Sequence, residues 1–422
     1  MTKDKHFFTI SDEIKGEYKP SAYNVCLSKD GRLIYNTVSQ AVAMFEKTDL
    51  SEYVDDMVEN GFLVKSDTDE LSDLKKEYDS RESFSKELHL IIALTLDCNF
   101  RCFYCYEKHP KRYMHDDVKL AIVNLVKKNA MLGKNISITW YGGEPMLDFD
   151  SIKELTSKFK KICETYNVNY CASMISNGYL FNDESIREID NLCIKDIQIT
   201  LDGIKEVHEK RRPMIGGTSS FHQIVENIIR INNETSAVVK LRINVDKSNI
   251  DRAHQLIEYC SNLGLHNIDL TLGLMKAFGC DHSCGNANDE LFSMFEFSQE
   301  YLKFREHAKK LGFERAVNKM TPKYKINSCT MDAPNSYVVD PEGFVYKCIS
   351  QVGQPSNSIG NVKLEFDSNA HKRISPFANK LCSKCVYFPI CKGGCLLNNS
   401  KQNAECNIWK FVTKSIILSD IG

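Results

Sequence analysis

The sequence has almost no net charge, no long apolar run and no internal repeat. Lys+Arg 54 against Asp+Glu 56 leave a formal charge of -2, which excludes bulk attraction to nucleic acid or an anionic membrane as the basis of function. The longest strongly apolar stretch, Leu88–Leu96, is interrupted by His89 and falls far short of the ~20 residues a bilayer span needs. Met1–Phe8 carries lysines but no apolar core, so no secretory signal is visible and a cytoplasmic location is expected. What the chain does have is cysteine, 17 in 422 residues. In a reducing cytosol disulfides seldom persist, so these thiols are expected to bind metal or take part in catalysis.

The length allows two or three domains. Residues 22–65 contain a strand at Ala22–Leu27, a Lys29-Asp30-Gly31 turn and a strand at Arg32–Asn36. Helical patterns at Ser39–Glu46 and Ser51–Glu59 follow, then an Asn60-Gly61 stop and a strand at Phe62–Val64. This is a winged-helix-like order. Ser66–Glu87 is charged and reads as a helical linker or brace. From His89 onward, strands at 90–96, 136–141, 170–176, 196–201, 238–245 and 267–272 alternate with helices near 115–131, 149–166, 183–192, 219–232 and 250–263. Such alternation makes a parallel sheet. Six units are fewer than the eight of a closed barrel, so a partial (β/α)6 TIM-type barrel is expected, with its chemistry at the carboxyl ends of the strands. A helical stretch near 290–311 leads into a Cys-rich C-terminal part.

Directly after the first barrel strand stands Asp97-Cys98-Asn99-Phe100-Arg101-Cys102-Phe103-Tyr104-Cys105-Tyr106. A C-x3-C-x2-C loop gives three thiolates to one cuboidal cluster and leaves the fourth iron open, able to chelate an amino acid's ammonium-derived nitrogen and carboxylate. Structural zinc is normally closed by four ligands, which this spacing fits poorly. With its cluster loop after the first barrel strand, the sequence resembles the radical S-adenosylmethionine superfamily. The resemblance implies that Cys98, Cys102 and Cys105 hold a 4Fe-4S cluster, with the aromatic Tyr104 before the last ligand. It also implies that Gly142-Gly143-Glu144-Pro145 binds the methionine amino group, Glu144 being the chosen contact. Ser176-Asn177-Gly178 and Thr200-Leu201-Asp202-Gly203 resemble the family's ribose- and carboxylate-contacting segments; for Ser176, Asn177 and Asp202, helix capping is an equal alternative. Arg242 and Asn244 lie two apart on the fifth strand, so both could face the barrel interior, or either could be a satisfied core group.

Seven further cysteines follow: Cys329, thirteen residues, Gly343, four residues, Cys348; then Cys382-x2-Cys385-x5-Cys391-x3-Cys395, and finally Cys406. The pattern resembles the SPASM domain of radical S-adenosylmethionine enzymes, which binds auxiliary 4Fe-4S clusters, although Cys382-x2-Cys385 alone would also suit zinc. The resemblance implies that Cys382, Cys385, Cys391 and Cys406 complete one cluster. Cys329, Cys348 and Cys395 would hold another, one ligand short, with Cys280, Cys284 or the substrate supplying the fourth. Cys26, Cys163, Cys171, Cys193 and Cys260 read as small buried hydrophobes. The fold class expected is thus α/β: a winged-helix-like domain at 1–86, the partial barrel at 87–312 and a Cys-rich iron-sulfur domain at 313–422.

The cofactors implied are S-adenosylmethionine and three 4Fe-4S clusters. Two functions compete within the SPASM group. Sulfatase maturases, which make formylglycine, begin close to the cluster motif and carry an acidic base after the second SPASM cysteine, where this chain has Ile349. Peptide maturases carry a winged-helix element that grips a leader peptide by strand addition. A radical peptide maturase is therefore expected, making an oxidative cross-link, most specifically a Cys thioether. Its partners would be a ribosomally synthesised precursor peptide with its leader and an electron donor such as flavodoxin or ferredoxin, with neither nucleic acid nor membrane. A non-catalytic iron-sulfur or zinc scaffold is the alternative of another class. For the proton acceptor, Asp281, His282 and Arg242 stand equal.

Overall fold

The computed structural model describes residues 12–46, 51–84, 86–275, 290–364, 375–399 and 406–422. Asp281, His282, Cys280 and Cys284 lie outside the described residues. Two compact units separate: one comprises Met1–Phe84, Thr321–Pro334 and Arg373–Gly422, the other Ser85–Met320 and Asn335–Lys372.

In the first unit α1 (Asp12–Glu17) leads into β1 (Tyr18–Pro20), β2 (Asn24–Cys26), β3 (Leu33–Asn36) and β4 (Val42–Met44). Then come α2 (Val54–Glu59), β5 (Leu63–Lys65) and α3 (Glu70–Phe84). β1 pairs with β5, while β2, β3 and β4 form an antiparallel sheet in that order. The helix expected at Ser39–Glu46 is instead the strand β4, with Met44 opposite Leu33 and Val42 opposite Tyr35. The reason is local. The Asn36 side-chain oxygen accepts from the Val38 and Ser39 amides, and Gln40 takes a left-handed φ of 65°, so the chain reverses instead of coiling. Ile34, Phe45, Met57, Phe62 and Leu63 fill a small core beneath. The charged stretch expected to be a brace is α3, which buries Leu74 and Tyr78.

The second unit is the barrel sheet. β6 (Glu87–Thr95), α4 (Asp116–Met131), β7 (Asn135–Gly142), α5 (Phe149–Tyr166), β8 (Tyr170–Ser176), α6 (Asp183–Glu188) and β9 (Ile194–Thr200) follow one another. They continue into α7 (Lys205–Arg211), α8 (Phe221–Glu234), β10 (Val238–Val245), α9 (Ile250–Asn262) and β11 (Asp269–Leu274). β6 to β11 lie parallel and in sequence order, as the alternating pattern implied. The helices bury one stripe each: on α5 it is Ile152, Leu155, Phe159 and Cys163, at helical spacing, with Phe159 stacked on Trp140 of β7. Cys163 and Cys260 are buried as expected of small hydrophobes; Cys26, Cys171 and Cys193 are half-buried.

After α10 (Met294–Lys310) and α11 (Glu314–Lys319), the chain adds what periodicity did not reveal. β12 (Ser336–Val339) pairs parallel to β6, and β13 (Phe344–Tyr346) and β14 (Gly360–Asn361) continue antiparallel, giving nine strands in one sheet. The last elements, α12 (Lys380–Ser383), α13 (Phe388–Cys391), α14 (Leu396–Asn399) and α15 (Trp409–Ile421), return to the first unit.

Asn36 is the polar keystone of the N-terminal element. It is 1% exposed and its amide donates to Ser21 Oγ, Asn24 Oδ1 and Gly61 O. Asn36→Ala should cost about 1–3 kcal/mol, because buried acceptors lose their donor, whereas Asn60→Ala at an exposed site should change stability by less than about 0.5 kcal/mol. Urea unfolding of the two variants checks this.

Candidate active site

The candidate chemistry gathers at the carboxyl ends of β6 to β10. The register of β6 on β7 shifts between Ala93 and Thr95, just before the cysteine loop. Gly143 N donates to Thr95 O and Glu144 N to Asp97 O, both at 2.9 Å. A Cβ on Gly142 would lie 2.2 Å from Thr95 O, and one on Gly143 2.2 Å from Asp97 O. These two glycines thus let their strand touch the backbone of the cysteine loop itself.

Glu144 is wholly buried, and its carboxylate accepts from Ser176 Oγ at 2.8 Å, Asn177 N at 2.7 Å and Met146 N at 3.0 Å. Burial raises its pKa against those hydrogen bonds. It thereby fastens the end of β7 to the end of β8, with roughly one of a carboxylate's ~4 acceptor positions left. Pro145 starts the 3-10 turn that Glu144 caps. Ser176 and Asn177 serve Glu144; the Asn177 amide also reaches Asn99 Oδ1 at 2.7 Å.

The loop's other anchor went unnoticed in the sequence. Arg101 N donates to Pro213 O, Phe103 N to Arg211 O, and Ile215 N to Asn99 O, so the segment after α7 runs beside the cysteines. Arg211 and Arg212 are both buried. Arg211 pairs with Asp246 at 2.9 Å, lies 3.6 Å from Asp202, and rests on the Phe103 ring. Arg212 donates to Tyr104 Oη at 2.7 Å, which also accepts from Asn244 Nδ2 at 3.1 Å; Arg242 in turn holds Asn244 Oδ1 at 2.8 Å. Arg242 and Asn244 therefore do share a face, as their spacing implied. A Lys-Arg-Arg-Pro run reads as exposed charge, and no periodic signal marked it otherwise.

The three thiols of the loop share one electrostatic environment. Burial pushes Cys98 and Cys105 up to about 12; the charge of Glu144 adds to this for Cys98 and that of Glu107 for Cys105, with Cys102 a smaller push on both. Cys102 is likewise raised by burial, with Arg212 the foremost opposing charge. Loading such a set with metal must release protons. Among the described residues no three His, Cys, Asp or Glu side chains close on a point suited to one metal ion. A cuboidal cluster instead takes each thiolate at its own corner iron. Around the loop, Asn99 Nδ2, Asp202 Oδ2 and Arg212 Nε are buried without a hydrogen-bond partner. Two donors and one acceptor complement the carboxylate and ammonium of an amino acid, which fits the methionine part of S-adenosylmethionine. Tyr106, Tyr141 and Glu107 form a second missed group: the Tyr106 and Tyr141 hydroxyls are 2.5 Å apart and Tyr141 donates to Glu107. Burial pushes Glu107 up to about 7 against that bond.

The C-terminal cysteines fall in both units. In the first, Asn379 caps α12 through the Leu381 and Cys382 amides, and Cys385 N returns to Cys382 O at 2.9 Å. Burial raises Cys382, with the charges of Cys385 and Cys406 adding to it, and Cys391 is raised by burial and by the charges of Cys385 and Cys382, so these thiols lie within electrostatic reach of one another. Burial pushes Cys391 up to about 11 while the Gly393 amide donates to it, and Lys410 Nζ reaches Cys406 Sγ at 3.4 Å. N–H···S and cationic contacts suit a cluster's thiolates. Lys392 has a left-handed φ of 48° and is 1% exposed, its ammonium 5.1 Å from the centres of the Tyr324 and Phe388 rings. Ser328 donates to Gly394 O, joining the loops of Cys329 and Cys395. Cys348 belongs to the second unit, where its thiol meets Ser350 Oγ at 3.1 Å; Gly343 sits in the β12–β13 turn with φ 86°.

This is the site of a barrel enzyme that mounts a cysteine loop and a buried ligand cradle on parallel strand ends. Residues 92–260 match the family model of the Radical SAM superfamily, so this stretch is a radical S-adenosylmethionine domain, and the chain is an enzyme. The class implies S-adenosylmethionine and a 4Fe-4S cluster as cofactors. GTP 3',8-cyclase of Clostridium perfringens strain SM101 is 27% identical over 286 residues, 64% of this chain and 83% of that protein. The cysteine-type anaerobic sulfatase-maturating enzyme of Clostridium perfringens strain 13 is 23% identical over 360 residues, 76% of this chain and 91% of its own. The structure of Streptococcus suis SuiB bound to precursor peptide SuiA matches with a TM-score of 0.54 at 13% identity, covering 92% of this chain and 98% of that one, a likeness of fold. No described helix is long and apolar enough to cross a membrane.

Gly143→Ala must move Asp97 or the β7 end, and overpacking of this kind costs roughly 1–3 kcal/mol; we expect reconstituted iron to fall by about four per chain, one cluster, which iron analysis measures. A second expectation concerns pH. Burial, then the charge of Arg212, pushes His208 down to about 3. Between that value and the ~6.5 of an unfolded histidine, the unfolded chain binds the extra proton, so stability falls as pH drops from ~6.5 toward 3. The slope from this group is at most ~1.4 kcal/mol per pH unit. His208→Gln should remove that share of the slope in denaturation curves taken from pH 7 to 5.

Proposed function

We propose that the chain is a radical peptide maturase that removes a hydrogen from a ribosomally made precursor peptide and forms an oxidative cross-link, a Cys thioether. The placement of Cys98, Cys102 and Cys105 beside Asn99 Nδ2, Asp202 Oδ2 and Arg212 Nε, each buried without a hydrogen bond, carries the initiating step. When bound, the 4Fe-4S cluster and S-adenosylmethionine supply a 5'-deoxyadenosyl radical able to take hydrogen from an unactivated carbon. The protein's part is positional. Cys98, Cys102 and Cys105 hold the cluster, and Arg212 favours the thiolate of Cys102. Asn99 and Arg212 face the methionine carboxylate and Asp202, with Glu144, its ammonium. Gly142, Gly143 and Pro145 fix Glu144 in place, Ser176 and Asn177 orient it, and Tyr104 and Arg242 set the wall.

In this reading Cys382, Cys385, Cys391 and Cys406 complete an auxiliary cluster. By resemblance to a SPASM domain, Cys329, Cys348 and Cys395 would supply thiolates to another, making three clusters. Forming a sulfur–carbon bond removes one hydrogen from the carbon and one from the thiol. The carbon's hydrogen leaves as an atom; the thiol's leaves as a proton, with an electron that a cluster held by the C-terminal cysteines would be able to take up. A reduced flavodoxin or ferredoxin supplies the initiating electron, and the chain works in the cytoplasm.

The peptide reading is supported by the edge of β4, which among the described residues pairs with β3 alone. It is the outer strand of its sheet, and Val42 and Met44 are 37% and 77% exposed. Such an edge accepts an extended leader as a further strand, and SuiB, similar in fold, has been solved with its precursor peptide. Likeness to the sulfatase-maturating enzyme supports a second reading, formylglycine formation in a sulfatase. The products differ: a thioether keeps sulfur and loses hydrogen, whereas formylglycine exchanges sulfur for oxygen.

Two measurements test the proposal. Replacing Cys98, Cys102 and Cys105 by Ala should reduce 5'-deoxyadenosine formation to background. Met44→Pro removes an edge amide without entering the core; it should weaken binding of a leader-bearing precursor by about tenfold, one edge hydrogen bond to an extended strand being worth ~1 kcal/mol and the ring obstructing its neighbours. Peptide-free cleavage of S-adenosylmethionine should be unchanged. Equal precursor binding by Met44→Pro and the parent would refute leader capture at β4, and mass analysis of the product decides between thioether and formylglycine.

A further inference from the structure

The N-terminal element and the C-terminal cysteines, far apart in sequence, fill one core. Val25 and Tyr35, on adjacent strands, pack with Tyr387 and Ile390, and Cys385, Val386 and Trp409 close over them. Beside this cluster Tyr23 and Leu74 pack with Phe388, and here Cys382 and Cys385 both lie against the group. Phe388 and Ile390 are wholly buried, and both belong to the five residues between Cys385 and Cys391. Thr37, also wholly buried, donates from Oγ1 to Val386 O at 2.7 Å, pinning the chain directly after Cys385. The Tyr23 hydroxyl feels the charge of Cys385. On the other flank α3 supplies Glu77, which accepts from the Tyr324 hydroxyl, and Tyr78, whose ring stands 5.4 Å from Phe377. Tyr324, Phe377 and Phe388 in turn surround the ammonium of Lys392, next to Cys391.

We infer that Thr37, Tyr23 and Leu74 are positioning residues for the cluster of Cys382, Cys385, Cys391 and Cys406, so that loading this cluster and ordering the N-terminal element are one event. The inference rests on the reading that these four cysteines hold a 4Fe-4S cluster. Its physical basis is that a cluster site is set by what holds its ligands as well as by the ligands. The backbone between Cys385 and Cys391 is held by a buried hydroxyl from residue 37 and by apolar side chains from residues 23, 25, 35 and 74. With the thiolates bridged, that backbone is fixed and the N-terminal side chains meet a rigid partner. With the thiols free, they meet a loop held by its own short turns, by the Lys325 amide on Pro389 O and by Thr37, with no bridge between its ends. The element that would grip a leader is thereby tied to the group that would take up the electron.

The test uses the full chain, reconstituted anaerobically, with iron analysis, low-temperature electron paramagnetic resonance of the reduced protein, and hydrogen exchange over residues 23–37. Cys406→Ala removes a ligand that takes no part in the shared core. It should lower iron by about four per chain and speed exchange at 23–37 by about tenfold, a loss of local stability. Cys98→Ala should remove a different cluster signal and leave that exchange unchanged. Thr37→Val should lose at least half of the signal that Cys406→Ala lacks, and Thr37→Ser, which keeps the hydroxyl, should retain it. If Cys406→Ala loses its iron while exchange at 23–37 stays at the parent rate, the coupling is wrong and the cluster reading stands. If Cys406→Ala keeps the parent's iron and signals, the cluster reading fails and takes the inference with it.

Discussion

Two carbonyl oxygens, those of Thr95 and Asp97, occupy the space that side chains at 142 and 143 would need. The candidate site depends on that contact. Because no side chain intervenes, the chain leaving β7 lies directly on the last residue of β6 and the start of the cysteine loop and hydrogen-bonds once to each, so the loop is anchored to the central sheet. Glu144 extends the same restraint to β8. It is a buried carboxylate whose partners are two backbone amides and a hydroxyl, groups that themselves end strands or begin turns. The loop is thus held from one side by strand ends and from the other by the segment that carries Arg211 and Arg212.

That second side is electrostatic. Two arginines and two aspartates, Asp202 and Asp246, are buried within one cluster, an arrangement that costs desolvation unless each charge finds a partner. Arg211 finds Asp246. Arg212 finds a tyrosine hydroxyl and the field of Cys102, and Asp202 keeps one oxygen without a hydrogen bond. Incomplete pairing of this kind is expensive in a finished core and economical in a site completed by a ligand carrying both signs of charge.

Much of the barrel was legible because parallel strands covered on both faces leave short apolar runs, and strands such as 170–176 and 238–245 end where the pattern ends. The cysteine loop was legible because three thiols at fixed spacing have few other uses. Arg211 and Arg212 were not, since a basic run carries no sign of whether it is buried. β12, β13 and β14 are two to four residues long, too short for a period. Ser39–Glu46 has helix-forming residues, yet a turn fixed by the Asn36 side chain decided the matter. That the first eighty-four residues share a core with the last fifty could not be read at all, because no local pattern records a contact across some 350 positions.

The shared core bears on how such a chain could be rebuilt. Peptide-modifying enzymes invite grafting: exchange the recognition element and so redirect the catalyst. Here the N-terminal segment that would be exchanged contributes Tyr23, Val25, Tyr35 and Leu74, which cover Phe388, Ile390 and two cysteines. A transplanted element with other side chains at those four places would leave a misfitted apolar seam over the loop between Cys385 and Cys391. The exchangeable module is therefore larger than the N-terminal segment and discontinuous along the gene, with the C-terminal turns travelling alongside it.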